Sequence, residues 1–258
     1  MLTGVTLDDV GIDAAALKPA EVDVTAASDL DVSTVTIDYE GAGHLPDRST
    51  LAALADQKRV RLTTPVRADG FDPLGDDSAL ATLPDGVGRV LVAGHDAYLT
   101  NDEAERAVVP RLEAAAATAT DPWVGTEGIE RVALAIGGTQ FELLSRSTGR
   151  DLRALRTAGF EGEIAVYAPT VLTDDESEIL DAVGDYAARR GPVRAALPDG
   201  AATDATASGR ARDVLTQAVG DYALVGDPET VAERIEQLRA AGADAIVGYP
   251  ARGIEPVR

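Results

Sequence analysis

A chain of 258 residues with 45% hydrophobic side chains can bury a large core as one α/β domain. It has no cysteine, which excludes disulfides, thiolate nucleophiles, iron–sulfur clusters and zinc–thiolate sites. Its 44 acidic and 23 basic residues give a net charge of −21, and no basic patch is available to displace counterions from nucleic-acid phosphates. Only 4% of residues are aromatic, so Ala, Val, Leu and Ile must fill most of the core.

Of the basic residues only Lys18 and Lys58 are lysines, and the chain carries 28 Asp to 16 Glu. Molar salt shortens the screening length to about 3 Å and removes the self-repulsion of such a surface. Short carboxylates also retain water in concentrated salt, whereas long Lys stems expose apolar surface. The composition therefore reads as adaptation to a very salty cytoplasm. The opening MLTGVTLDDVGID has no basic stretch followed by an apolar one, and no run approaches the roughly 20 apolar residues of a membrane span. A cytoplasmic protein is expected, with a small-molecule substrate and neither a nucleic-acid nor a membrane partner.

Eight β-branched runs alternate with Ala/Leu-rich helical runs. In chain order they are Val10–Leu17, Thr34–Asp38, Val60–Thr64, Arg89–Ala93, Trp123–Gly125, Gln140–Leu144, Glu163–Tyr167 and Asp244–Gly248. Strands separated by helices read as βαβ units, and eight units in this length predict a single (β/α)8 TIM barrel over residues 1–258. An open doubly wound sheet is the alternative. It usually shows a Gly-rich fingerprint after its first strand, where this chain has Lys18-Pro19-Ala20-Glu21.

Helix starts carry capping signals. Thr100 ahead of Glu103 and Thr173 ahead of Glu176 both read as capping boxes. The last helix has Asp227 as N-cap, Pro228 in the first turn, an apolar stripe of Val231, Ile235 and Leu238, and Gly242 as its stop. The small, polar segment 198–209 (PDGAATDATASG) reads as a flexible loop.

Barrel active sites lie at the C-terminal strand ends, so polar residues just after the strands form the candidate ring. It contains Lys18, Asp38, Tyr39, Glu40, His44, Arg67, Asp69, Asp72, His95, Asp96, Glu127, Arg146, Tyr167, Tyr249 and Arg252. Both histidines of the chain, His44 and His95, fall there and suit proton transfer near neutral pH. Arg67 reads either as a bidentate clamp for phosphate or carboxylate or as an ion-pair partner of Asp69 or Asp72. The run Asp69, Asp72, Asp76, Asp77 reads as a solvated loop, and no metal is expected. Trp123–Glu130 contains small residues at a strand-to-helix turn, a place where amides can approach a phosphate.

Several segments, in this order, resemble the luciferase-like superfamily of bacterial luciferase, alkanesulfonate monooxygenase and deazaflavin-dependent methylenetetrahydromethanopterin reductase. Thr34–Asp38, Leu51–Ala55 and Val60–Thr64 resemble its second strand, helix and third strand. Leu83–Gly94 resembles the fourth strand and Pro122–Leu144 the strand, Gly turn, helix and next strand. Ile164–Glu178 resembles the seventh strand, and Val225–Pro250 the closing helix and strand. Thr63 and Pro65 stand where the family often has Gly, and Asp38-Tyr39 where it often has Asp-His.

The resemblance implies a compact, haloarchaeal-type oxidoreductase that transfers hydride or activates oxygen with coenzyme F420 (a deazaflavin) or FMN. By position, Thr63, Thr64 and Pro65 would back the ring, and Gly125, Thr126 and Gly128 would meet the phosphate. Asp38 and His95 would face the substrate. Barrels of this family often pair, which implies a homodimer. Two other readings stay open: a cofactor-free lyase or isomerase acting on a phosphorylated metabolite, and a non-catalytic barrel that has lost its cofactor.

Overall fold

A computed structural model describes residues 4–67, 83–94, 99–125 and 130–257. Nine strands run β1 (Ala14–Leu17), β2 (Thr34–Ile37), β3 (Arg59–Pro65), β4 (Gly88–Val92), β5 (Trp123–Gly125), β6 (Thr139–Leu143), β7 (Ile164–Leu172), β8 (Leu224–Gly226) and β9 (Ala245–Pro250). The helices are α1 (Arg48–Ala55), α2 (Asn101–Ala104), α3 (Val108–Thr118), α4 (Glu130–Ile136) and α5 (Thr148–Thr157). They continue with α6 (Glu176–Ala188), α7 (Gly191–Ala196), α8 (Gly209–Tyr222) and α9 (Pro228–Ala241).

The order β6-β5-β4-β3-β2-β1-β9-β7 is closed by pairing of β6 with β7, and every ladder in it is parallel. Eight parallel strands with surrounding helices form one (β/α)8 barrel, and the β6–β7 ladder rules out the open sheet. β8 stands outside this ring, pairing with the extended end of β7 through Thr170↔Leu224 and Leu172↔Gly226.

Period-two alternation sorts the strand residues between two faces. Ala14, Ala16, Val90, Trp123, Phe141, Ala165, Tyr167, Val247 and Tyr249 pack together in the bore. Their alternates Ala15, Leu17, Val35, Ile37, Val60, Leu62, Ile164, Val166 and Ile246 pack outward under Leu51, Leu54, Leu152, Val231, Ile235 and Leu238 of the helices. Four aromatics, Trp123, Phe141, Tyr167 and Tyr249, meet in the bore: Trp123 stacks on Phe141 at 5.9 Å, and Phe141 meets Tyr167 edge-on at 5.8 Å.

The capping expectations resolve unevenly. Thr100 and Glu103 form the reciprocal capping box of α2. Asp227 caps α9 by accepting from the Thr230 amide at 2.7 Å, and Gly242 ends that helix at φ 121°. At α6 the cap is Asp175, which accepts from the Ser177 and Glu178 amides, while Thr173 bridges to Gly226 instead. Starting the helix two residues later puts the stronger acceptor, a carboxylate, at the N-cap.

The 198–209 segment, expected as a flexible loop, lies against α6. The Ala205 amide donates to Asp181 at 2.8 Å, Arg212 donates to the Ala205 carbonyl, and Ala207 is buried. Gly184 makes room for it, since a Cβ there would lie 2.2 Å from the Thr203 carbonyl oxygen. Together α6, α7 and α8 bury a second apolar cluster around Leu180, Val183, Leu215 and Val219. No helix among the described residues is long and apolar enough to cross a membrane.

Candidate active site

The C-terminal mouth gathers polar groups from β1, β2, β7 and β9. The same alternation that buries Ala14 and Ala16 turns the next residue of that face, Lys18, toward the mouth, and the register Leu17↔Ile37 sets Asp38 at the same level of the neighbouring strand. Lys18 Nζ lies 4.1 Å from the centre of the Tyr249 ring and 3.3 Å from Glu21 Oε1. The Tyr249 hydroxyl donates to the other Glu21 oxygen. Glu40 accepts from the Ala20 amide at 2.8 Å, which ties the segment after β1 to the segment after β2. Thr63 accepts from the Tyr39 amide at 2.6 Å and fixes where the chain leaves β2.

Two groups in this cluster have no hydrogen-bond partner among the described residues: the Asp38 carboxyl and the Tyr167 hydroxyl. Asp38 is half-buried, and desolvation of its carboxyl raises its pKa to about 7. Lys18 works against that rise, and the carboxylates Glu40 and Glu21 add to it. Tyr167 is only 6% exposed, and burial holds its phenol well above the ordinary range, with the Asp38 charge acting in the same direction. Burial likewise raises Tyr249, helped by its bond to Glu21. A carboxyl raised to about 7, within electrostatic reach of a buried phenol and a lysine, is suited to proton transfer.

The other expected site residues divide. Thr64 faces away from the bore, donating to the Leu62 carbonyl and lying 3.4 Å from the buried Arg89. Pro65 ends β3 in unbroken register with Val92, so no bulge forms there. Arg67 is not an open clamp: its guanidinium donates to the carbonyls of Ala93, Gly94 and Ala104 at 2.7–3.0 Å and staples β4 to α2. A Cβ on Gly125 would fall 1.7 Å from the Phe141 carbonyl oxygen, so close strand packing already requires this glycine. His44 is exposed in the 3-10 turn Ala42–His44, and its side chain has no partner among the described residues. His95, Thr126 and Gly128 lie outside the described residues, as do Asp69, Asp72, Asp96 and Glu127. Arg252 pairs with Glu178 at 2.7 Å, and Arg146 is exposed after β6.

Glu21 is the residue of this cluster that sequence reasoning passed over. Its partner Tyr249 is 228 positions away, and the only local signal was a carboxylate three residues after Lys18 in a polar turn. A depression at the outer ends of β7 and β9, lined by Thr170, Leu172, Pro250 and Arg252 among others, holds about 20 Å³, room for one water, and lies apart from this cluster. Among the described residues no group of three or more His, Asp or Glu is placed to hold a metal ion.

The chain belongs to a family of unknown function, DUF7388, whose model matches residues 7–257. No curated protein matches it in sequence. Among solved structures it is similar to an F420-dependent secondary alcohol dehydrogenase in complex with an F420–acetone adduct. The TM-score is 0.60 at 12% identity, covering 95% of this chain and 98% of that one. It is also similar to the monooxygenase RslO1 from Streptomyces bottropensis, with a TM-score of 0.50 at 18% identity over 93% and 92% of the two chains. At these identities the likeness is one of fold, the (β/α)8 barrel.

Proposed function

We propose that this protein is an oxidoreductase of the luciferase-like type, working with coenzyme F420 or FMN, and that Asp38 carries the proton of its reaction. The observation behind this is the Asp38 carboxyl at the mouth of the barrel, which has no hydrogen-bond partner among the described residues and is raised by desolvation to about 7. The fold-level likeness to an F420-dependent dehydrogenase and a monooxygenase supplies the reaction class.

The described residues fit the ring of such a cofactor better than its phosphate. Val92 and Leu143, both partly exposed, border the bore aromatics and offer an apolar floor, with Tyr249 as its wall. On the phosphate side, Thr63 and Arg67 are already engaged and Gly125 faces backbone. The hydroxyl-rich turn Ser145–Thr148 and the exposed Arg146 after β6 are the described groups suited to an anion. When bound, the cofactor supplies hydride transfer or oxygen activation. The protein supplies the rest. Lys18 and Tyr167 orient a substrate oxygen, Asp38 gives or takes its proton, and the packed bore excludes water from below. A cofactor-free lyase or isomerase on a phosphorylated metabolite has less support, because Arg67, its intended clamp, is engaged by three carbonyls. The low Lys content fits work in concentrated salt in a cytoplasmic setting, and pairing into a homodimer is part of the same proposal.

The test is titration of the folded protein in about 2 M KCl, where surface charge is screened, with F420 and with FMN. Saturable binding with a shifted cofactor absorbance is expected for one of them. Asp38→Asn should keep that binding while lowering turnover by about 10²-fold or more, the usual weight of a general acid or base. Absence of binding by both cofactors to a protein shown folded by circular dichroism contradicts the reading.

A further inference from the structure

We propose that Glu21 is a positioning residue that keeps Asp38 out of an ion pair by drawing Lys18 away from it and onto Tyr249. This rests on the reading that Asp38 carries the proton, and it names the residue that leaves its carboxyl unpaired.

The fold places Lys18 between two possible partners. β1 lies between β2 and β9. After the register Leu17↔Ile37 the next inward residues are Lys18 and Asp38, and the Asp38 amide donates to the Leu17 carbonyl at 2.8 Å. Adjacent strands run about 5 Å apart, a gap that a lysine stem spans. Yet no ion pair joins Lys18 to Asp38 among the described residues. The Lys18 ammonium instead lies on the β9 side, 3.3 Å from Glu21 Oε1 and 4.1 Å from the centre of the Tyr249 ring. The Tyr249 hydroxyl donates to Glu21 Oε2, which closes the triangle.

The local sequence builds this arrangement. Lys18-Pro19-Ala20-Glu21 folds into a turn in which the Glu21 amide donates to the Lys18 carbonyl at 2.9 Å, with Pro19 where its fixed φ suits a turn. Glu40 pins the same turn from the β2 side through the Ala20 amide. An exposed ion pair three residues apart contributes little by itself. Here Tyr249 adds a third member, using the second Glu21 oxygen and offering its ring face to the ammonium. Backbone pairing of β1 with β9 covers Ala14↔Val247 and Ala15↔Gly248, and above that level the triangle joins the two strand ends. A carboxyl in contact with an ammonium is held ionised, whereas an unpaired one can take up and release a proton. Lys18 opposes the raised pKa of Asp38 from a distance, Glu40 and Glu21 add to it, and the phenols of Tyr167 and Tyr249 complete the titratable groups around it.

Lys18 and Lys58 are the only lysines of the chain, so isotope-labelled lysine gives two side-chain signals by NMR. Lys58, held by the carbonyls of Leu30 and Val32, is the internal control. In about 2 M KCl the Lys18 ε protons are expected upfield, shielded by the face of Tyr249. Glu21→Gln should abolish that displacement and leave Lys58 unchanged. The Asp38 carboxyl titration is the second readout. Glu21→Gln should lower its midpoint further than Glu40→Gln does, although by direct charge alone Glu40 acts more strongly. In a Lys18→Met background that order should reverse. The proposal is overturned if Lys18 keeps its displacement in Glu21→Gln, if Lys58 moves equally, which would be general loosening, or if Glu40→Gln lowers the midpoint more. An ordinary carboxylate midpoint in the parent would defeat Asp38 as proton carrier yet leave the position of Lys18 measurable, so the two readings fail separately.

Discussion

The two ends of the barrel treat charge in opposite ways. At the N-terminal floor Asp13, Asp121 and Asp244 are each paired with an arginine. Asp13 accepts from the Ile246 amide at 2.7 Å and pairs with Arg239 at 2.9 Å. Asp244 accepts from the Ile164 amide at 2.8 Å and pairs with Arg156, which also donates to the carbonyls of Gly242, Phe160 and Gly162. Arg61 lies over the Trp123 ring at 4.6 Å and pairs with Asp121. At the mouth Lys18 pairs with Glu21, and the Asp38 carboxyl and the Tyr167 phenol have no hydrogen-bond partner among the described residues. The floor uses arginine forks to fix strand starts, where a fixed, permanent charge is useful. The mouth holds the one lysine not committed to carbonyls, since Lys58 donates to Leu30 and Val32. Fixed ion pairs are concentrated at one end and titratable groups without partners among the described residues at the other, as the proposed activity requires of a barrel.

Substitutions at each end should separate these roles. The largest effect belongs to the floor. Arg156→Ala should cost about 3–4 kcal/mol, because it strands Asp244 and three carbonyls. Denaturant unfolding in about 2 M KCl measures it, and cofactor binding at the mouth should be unchanged in the folded fraction. Next is Asp38→Asn, of opposite sign. Because the folded pKa of Asp38 is raised to about 7, the stability cost is absent below about pH 4, grows as pH rises, and is complete above 7. Asn removes the ionisable group, so the variant should be more stable than the parent by about 2–3 kcal/mol at pH 8 and equal to it at pH 4. Thermal unfolding at the two pH values checks this.

Smaller effects sharpen the contrast. Thr100→Ala, which removes the capping box of α2, should cost about 1 kcal/mol and leave the floor and mouth ladders unchanged. Glu21→Gln should lower the Asp38 titration midpoint modestly, since Glu21 is one of the two carboxylates that raise it. An unchanged or higher midpoint would mean that Lys18 does not move onto Asp38 when Glu21 is lost.

Much of the barrel was legible because its strands are the chain's β-branched runs and their period is enforced by burial on both faces. Trp123–Gly125 falls where the pattern puts it, and the other seven boundaries differ by a few residues. The widest miss is the seventh strand, which runs to Leu172, five residues beyond the expected Tyr167; at the first strand Val10 lies in the 3-10 turn Asp8–Val10, ended by Gly11 at φ 88°, so pairing begins only at Ala14. β8 was missed because three residues, Leu224–Gly226, carry no periodicity of their own and pair only with the overrun of β7. At the site, strand-end placement brought Asp38, Lys18, Tyr167 and Tyr249 into view. It did not reveal that Arg67 would be consumed by carbonyls or that Glu21 would join Tyr249, since both depend on contacts across distant parts of the chain.

The account turns on Asp38, and its most direct test is an NMR titration of the aspartate side-chain carboxyls in about 2 M KCl, with Asp38→Asn assigning the resonance. A midpoint near 7 is the predicted result. A midpoint near 4, the ordinary carboxylate value, would show a solvated carboxyl and contradict the assignment of the mouth as a proton-transfer centre.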